Sequence, residues 1–288
     1  MRVPSIPPEL VKVHLRNNRN SAGHWSEFAA HREQVTGLAL AAGGAGAEPA
    51  DRLAILGAGN CNDVDLPALA ARYRQIHLVD VDTEAVTGAR DRQPPPVAAS
   101  LTVHAPLDVS GALPKLAAFR TKPPTPAQLE ALPNTCADTV VAALPGPFDT
   151  VISACILSQI MHGCRLALGQ APHLKPIAHA FTTGHLRALL RLTRPGGTAL
   201  FVTDVVSSET YPLQELWSER TPLALLDELE QADNLFSGVG PSYIRRLLAR
   251  DPVIAPLVTA PRMIEPWLWR LGPTLTLLVY ALVLQRRA

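Results

Sequence analysis

RLAILGAGNCND, residues 52–63, is a short apolar run that stops at two glycines one residue apart, and its reading decides the fold. Behind it Leu66, Leu69, Ala70 and Tyr73 recur at helical spacing, so a strand passes through a tight turn into a helix. Gly57 and Gly59 permit sharp backbone geometry and close approach of a ligand to the peptide groups. An ordinary strand-to-helix turn favours glycine too. The stretch is not a full G-x-G-x-x-G, because Asn62 occupies the last position, and that departure weakens a dinucleotide reading.

Working outward, the same alternation repeats. QIHLVDVD (75–82) reads as a second strand, with a short helix beginning near Thr83. The prolines at 94–96 imply an extended connection into a third strand, LTVHAPLDV (101–109). Residues 111–147, rich in Pro and Ala, read as irregular with one or two short helices. FDTVISACI (148–156) and GGTALFVTDVV (196–206) are the fourth and fifth strands, with helical segments between. Strands alternating with helices argue for a parallel sheet with crossover helices. EPWLWRL, a Gly-Pro turn at 272 and 273, and TLTLLVYALVLQR form two closing strands joined tightly enough to be antiparallel neighbours.

Ahead of the sheet, Trp25, Phe28, Ala29, Val35, Leu38 and Ala39 share one face of a helix from Ser21 to about Ala42, ended by Gly43 and Gly44. Residues 1–50 form a helical extension, and 51–288 form one α/β domain in which 210–262, carrying the patterns LQELWSERTPLALLDELEQA and PSYIRRLLAR, is a helical cap. RNNRNSAGHWSEFAAHR has two readings: a lid closing the cleft with Trp25, His24 and His31, or an amphipathic docking helix with a solvated polar side.

Composition narrows the class. Hydrophobic residues make up 47% of 288, ample for a core, so disorder is excluded. Lys and Arg total 26 against 25 Asp and Glu, so no overall field draws the chain to nucleic acid or an anionic membrane. Cys61, Cys136, Cys155 and Cys164 contain no C-x-x-C pair and fit neither a zinc site nor a disulfide framework, so no metal is expected and the cytoplasm is the expected compartment. The N-terminus lacks a signal-length apolar run. The uncharged stretch 271–284 is bracketed too tightly by Arg270, Arg286 and Arg287 to span a membrane and reads as a buried strand.

Ligands of an open parallel sheet bind outside the carboxyl ends of the strands. Asp80 lies about 20 residues after the glycines, where a ribose-binding carboxylate belongs, while Asp82 before Thr83 and Glu84 looks like a helix start. Solvated turn acids are the alternative for both. Asp108 closes the third strand and is able to accept from an adenine amino group. Ser153, Ala154 and Cys155 close the fourth, and Gln159 and His162 share a face of the helix that follows.

Taken in order, LAILGAGNCND, HLVDVD, PLDVSG, FDTVISACILSQ and LTRPGGTALFVTD resemble the successive motifs of class I S-adenosylmethionine-dependent methyltransferases across residues 52–206, and the terminal hairpin extends the likeness. The resemblance implies a seven-stranded Rossmann-like sheet of order 3-2-1-4-5-7-6, mostly parallel with strand 7 antiparallel and helices on both faces, and a Pro195-Gly196-Gly197 turn into strand 5. It implies S-adenosylmethionine as cofactor and S-adenosylhomocysteine as product. Gly57 and Gly59, with Asn60, would flank the methionine part. Asp80 and Val81 would hold the ribose, Asp108 and Val109 the adenine, and Ser153, Ala154 and Cys155 would line the methyl-transfer face.

Two departures stand out: Ile55 occupies the place of the family's usual acid, and Cys61 that of a frequent third glycine. Asp63 is the expected replacement partner for the methionine ammonium. The acceptor is expected to be a small molecule methylated on O or N, because SACIL lacks the Asn/Asp-Pro-Pro-aromatic signature of base and glutamine methylation. Gln159, His162 and Trp25 are candidate substrate contacts. His162, His185 and Tyr211 are candidate bases should the acceptor need to lose a proton. An NAD(P)-dependent oxidoreductase and a non-catalytic S-adenosylmethionine-binding protein are the alternatives.

Overall fold

A computed structural model describes residues 8–43, 50–213, 220–272 and 274–288. Gly44, Pro273 and residues 214–219 of the expected cap helix lie outside them. Seven strands form one sheet: β1 (Ala50–Leu56), β2 (Tyr73–Val79), β3 (Leu101–His104), β4 (Phe148–Ala154), β5 (Thr193–Ser207), β6 (Arg262–Leu271) and β7 (Leu275–Gln285). Their order is β3-β2-β1-β4-β5-β7-β6. The pairs within β3-β2-β1-β4-β5 are parallel, and β7 runs antiparallel to both β5 and β6. This is the expected class I methyltransferase order, strand for strand.

Period-two alternation splits each central strand between two cores. Ala54 and Leu56 of β1 face one side with Val151, Phe201 and Tyr280, while Leu53 and Ile55 face the other with Ile152, Leu200 and Val279. The first side is covered by α7 (Pro126–Ala143), α8 (Ile156–Leu168) and α9 (Leu174–Leu192), and by Leu225, Leu226, Leu229, Ile244 and Leu248 of α10 (Pro222–Gln231) and α11 (Pro241–Arg250). The second side is covered by α2 (Ala29–Ala42), α3 (Leu66–Ala70) and α4 (Thr83–Asp91). The remaining helices are α1 (Pro8–Ser21), α5 (Pro95–Ala99) and α6 (Leu113–Thr121). Among the described residues no helix is long and apolar enough to cross a membrane, and the uncharged C-terminal run is the buried strand β7.

Four local expectations need correction. The helix expected from Ser21 begins only at Ala29, as α2: Ser21 is the last residue of the separate helix α1, and turns occupy 22–28 around Gly23, a residue that costs helix stability. The prolines at 94–96 do not extend the chain: Pro94 caps α5 and the next two occupy its first turn, where a missing N–H costs nothing. The third strand ends at His104 rather than Val109, since Pro106 has no N–H for a ladder. The 111–147 stretch holds an 18-residue helix, α7, started by a Thr125–Gln128 capping box and continuing through Pro133.

Candidate functional site

At the carboxyl ends of β1, β2, β4 and β5 lies a cavity of about 790 Å³, roofed by α1 and bounded by Trp269, Leu271 and Leu275 of the β6–β7 hairpin. The size falls within the ~300–1,000 Å³ of ligand pockets. Gly57 sits at φ +80° and Gly59 at φ +48°, the left-handed region that glycine enters without penalty. A Cβ at Gly57 would run into Ile156, and one at Gly59 would lie 2.8 Å from Asn18 Oδ1. Protein groups, as well as any ligand, thus require these glycines.

Asp80 is buried at the end of β2. Its Oδ2 accepts from the Gly59 N–H at 2.8 Å and its Oδ1 from the Asp82 N–H at 2.8 Å. Each oxygen keeps a second lone pair for an incoming donor. Desolvation raises the Asp80 pKa, opposed by those two backbone hydrogen bonds. Asp82 caps α4, accepting from Ala85 N at 3.1 Å, as its place before Thr83 implied.

Three further amides at the start of the loop are spent internally. Gly57 N and Ala58 N both donate to Val79 O at 2.9 and 3.1 Å, and Cys61 N donates to Ala58 O at 2.7 Å. The next helix N-terminus, that of α3, stands beyond the loop and is capped by the Asp65 side chain. A pyrophosphate, which is held by free amides at a helix start, finds the amides of both glycines taken and no helix starting directly at the loop.

Asp63 lies on the cavity wall, and its Oδ1 is 3.1 Å from His31 Nε2. The approach is bent, so neither atom completes a hydrogen bond, and both are buried. A carboxylate oxygen left in that state costs about 1–3 kcal/mol. At the end of β5, Asp204 is buried with Oδ1 accepting from Ser158 Oγ at 2.5 Å. Desolvation raises its pKa, with the Ser158 hydrogen bond opposing. Cys61 and Cys155 adopt left-handed backbone at φ 55° and 48° beside the cavity, and burial pushes both thiols up, so they stay protonated and poorly nucleophilic.

Of the residues singled out from sequence, the cavity gathers Gly57, Gly59, Asn60, Asp63, Asp80, Val81, Asp108, Val109, Ala154, Cys155, Gln159 and His162. Asp108 has a different task from the one expected. Its Oδ1 accepts from Ser110 N and Oγ at 2.9 and 2.5 Å, and its Oδ2 from Ala112 N and Leu113 N at 2.9 and 2.8 Å. With two donors on each oxygen it fixes its own loop and has no vacant acceptor for an adenine amino group.

Four other candidates lie outside the cavity wall. Ser153 turns inward and pairs with His185 Nε2 at 2.8 Å. His185 Nδ1 is 3.3 Å from Val109 O, and burial lowers the His185 pKa to about 4, so it is a satisfied structural histidine behind the site. Tyr211 packs on the core. Trp25 is 48% exposed and lies under the Arg32 guanidinium, 3.5 Å from the ring centroid, while Arg32 donates to Trp25 O at 2.8 Å.

The segment read as lid or docking helix does bring Arg16, Asn17, Asn18, Asn20, Ser21 and His24 to the cavity wall, but the particular contacts of α1 escaped the sequence reading. Asn60 Nδ2 donates to Asn18 O at 2.6 Å, Asn62 Nδ2 to Ser21 O at 2.7 Å, and Asn18 Nδ2 to Asp82 Oδ2 at 3.1 Å. His14 Nδ1 donates to Gln159 Oε1 at 2.8 Å, joining α1 to α8. Three asparagines closing RNN and GNCN were the available signal, though their pairing spans about 40 residues. His162, three residues after Gln159, has its pKa lowered by desolvation and then by Arg165, His14 and Arg16.

No family model and no curated protein matches the sequence. Among solved structures, the chain is similar to an arsenic(III) S-adenosylmethionine methyltransferase from Chlamydomonas reinhardtii, with 16% identity, 82% of this chain and 64% of that one covered, and a TM-score of 0.41. The match thus spans just under two thirds of that protein's length. It is also similar to the N-methyltransferase NodS from Bradyrhizobium japonicum in complex with S-adenosylhomocysteine, with 11% identity, coverage of 89% and 87%, and a TM-score of 0.41. A third is an rRNA methylase from Streptococcus thermophilus, with 11% identity, coverage of 88% and 95%, and a TM-score of 0.40. At these scores the likenesses carry no weight on their own. The strand order and the cleft define the class of fold: a seven-stranded α/β sheet with a ligand cleft at its carboxyl edge.

Proposed function

We propose that this chain is an S-adenosylmethionine-dependent methyltransferase acting on a small-molecule acceptor through O or N. The observation that carries the reading is the glycine loop with the amides of both glycines internally committed and carboxylates, Asp63 and Asp80, on either side. That arrangement suits a cationic amino-acid nucleoside and disfavours a pyridine dinucleotide, whose pyrophosphate needs free amides. The sheet order supports the same choice.

In this reading both oxygens of Asp80 take the ribose hydroxyls with their remaining lone pairs, and Asp63 takes the methionine ammonium. Val81, Leu107 and Val109 supply apolar walls for a purine. Bound there, the cofactor supplies a methyl group already activated by its sulfonium. The protein's work is then alignment and exclusion of water, for which the α1 roof, pinned through Asn18, Asn60 and Asn62, acts as a lid. Ala154 and Cys155 line the transfer face, and Ser158, Gln159, His162 and Asp204 surround the acceptor side. An acceptor that must lose a proton has His162 as a base on the cavity wall, its pKa lowered by desolvation so that the neutral form is favoured.

Near-neutral net charge favours a small acceptor over a phosphate backbone. Four buried free thiols suit the cytoplasm. The test supplies S-adenosylmethionine with a metabolite extract freed of protein and nucleic acid or, separately, with purified ribosomal RNA, and follows S-adenosylhomocysteine release. Turnover is expected with the extract. Turnover only with RNA would refute the small-molecule assignment.

A further inference from the structure

His31 does not reach the cavity, yet everything about its surroundings fixes its ring. It is 1% exposed on α2 and stacks on Trp269 with centroids 4.0 Å apart and planes 14° from parallel. Trp267 Nε1 lies 3.1 Å from His31 Nδ1. An indole N–H only donates, so His31 Nδ1 accepts and a ring proton sits on Nε2, the atom that faces Asp63 Oδ1 at 3.1 Å. Trp267 and Trp269 belong to β6, near the C-terminus; His31 comes from the helix before the sheet; Asp63 closes the glycine loop. Three remote pieces of chain converge on one carboxylate.

We propose that Trp267 and His31 form a positioning relay that orients Asp63, so that one oxygen is steadied by His31 and the other is presented to the α-ammonium of the cofactor's methionyl end. The inference rests on the proposed cofactor site and assigns His31 and Trp267 a role in holding one end of the ligand only. Ile55, where the related fold's usual acid is absent, is a buried core residue with no charge to offer, so the ammonium depends on Asp63 and on whatever aims it. The bent His31–Asp63 approach is the open form of a contact that straightens when a ligand loads the other oxygen, as site hydrogen bonds commonly do.

The test compares two ligands by calorimetry on the full chain: S-adenosylhomocysteine, which carries the ammonium, and 5′-methylthioadenosine, which keeps adenine, ribose and sulfur but lacks the amino acid. Asp63→Asn, His31→Phe and Trp267→Phe are each expected to weaken S-adenosylhomocysteine, His31→Phe by about tenfold, while methylthioadenosine affinity changes by less than about twofold. His31→Gln, which returns an amide donor toward Asp63, is expected to recover most of the loss. In the Asp63→Asn background, His31→Phe should add nothing.

Equal losses for both ligands, or unchanged S-adenosylhomocysteine binding in soluble His31→Phe and Trp267→Phe, would overturn the relay while leaving the cofactor site intact. Failure of the unmutated protein to bind either ligand would instead overturn the site reading, and the relay with it.

Discussion

Replacing Asp80 by Asn changes one oxygen into an NH₂ group and removes a charge, with almost no change in volume. Both oxygens of the native side chain face backbone donors, Gly59 N and Asp82 N, each at 2.8 Å. Whichever way the new amide turns, one of those N–H groups meets another donor and is left unpaired in a site 7% exposed, at a stability cost of about 1–3 kcal/mol. The ligand loses more. One ribose hydroxyl forfeits a charge-assisted hydrogen bond worth about 1.5–3 kcal/mol and the other retains only a neutral one. Together these amount to roughly 2–4 kcal/mol, a 30- to 1,000-fold loss of affinity at about 1.4 kcal/mol per decade.

Calorimetric titration with S-adenosylhomocysteine and with methylthioadenosine, alongside a circular dichroism melt, measures both parts. The loss should be similar for the two ligands, since both contain the ribose. Desolvation raises the Asp80 pKa, so native affinity should decline on mild acidification earlier than an exposed aspartate would allow, and the Asn variant should lack that decline. A folded Asp80→Asn protein binding S-adenosylhomocysteine within about threefold of native would refute the assignment of the ribose to this carboxylate.

Gly57→Ala forces a side chain to φ +80° and into Ile156, so melting should show a loss of about 2–4 kcal/mol from backbone strain and overpacking combined, with cofactor affinity falling as the loop shifts. Arg187 and Asp251, 9% and 8% exposed, pair at 2.7 Å, with Asn134 on the other guanidinium arm; Asp251→Asn leaves a nearly buried charge unpaired and should cost about 3–5 kcal/mol in denaturant unfolding. Burial works against the Asp251 carboxylate, but the Arg187 hydrogen bond, the Ile254 and Val253 amides and the Arg187 charge hold its pKa below the usual value of 3.8. The pair's contribution is therefore present above about pH 4 and is lost as pH falls through the depressed pKa. His77 works in the same direction over a higher pH range: desolvation, then His104 and Arg52, lowers its pKa from 6.5 to about 4. Between those values the unfolded chain binds a proton that the native one refuses, so melting temperature should drop from pH 6.5 to pH 4, and His77→Phe should make that slope shallower.

Much of the fold is legible in the chain because parallel strands buried on both faces leave unbroken apolar runs, as from Leu53 to Leu56 and from Ala199 to Val202. The Asp80 and Asp82 roles separate for a local reason: a cap belongs next to its helix, and Thr83 begins one. What stays hidden is fixed by distant partners. Asp108 looks like any strand-end acid until the amides of residues 110, 112 and 113 turn back onto it. Trp25 reads either as a cleft residue, from the polar and aromatic density around it, or as part of an apolar docking stripe, but it lies in the turns after Gly23, at the surface under Arg32. The α1 roof is nearly invisible because Asn18 and Ser21 find Asn60 and Asn62 across 42 and 41 residues, a pairing without any local periodicity. Asp204 needed Ser158, 46 residues away, to mark it.

The central claim is that the glycine loop and Asp80 hold an adenosyl amino-acid nucleoside rather than a dinucleotide. Titrating the purified chain with S-adenosylhomocysteine and, in a second cell, with NAD and NADP tests it most directly. Saturable heat with the first at one site per chain, its affinity weakened at least about 30-fold in Asp80→Asn, and none with the nicotinamide nucleotides is the predicted result. Binding of a nicotinamide nucleotide with no heat from S-adenosylhomocysteine would contradict it.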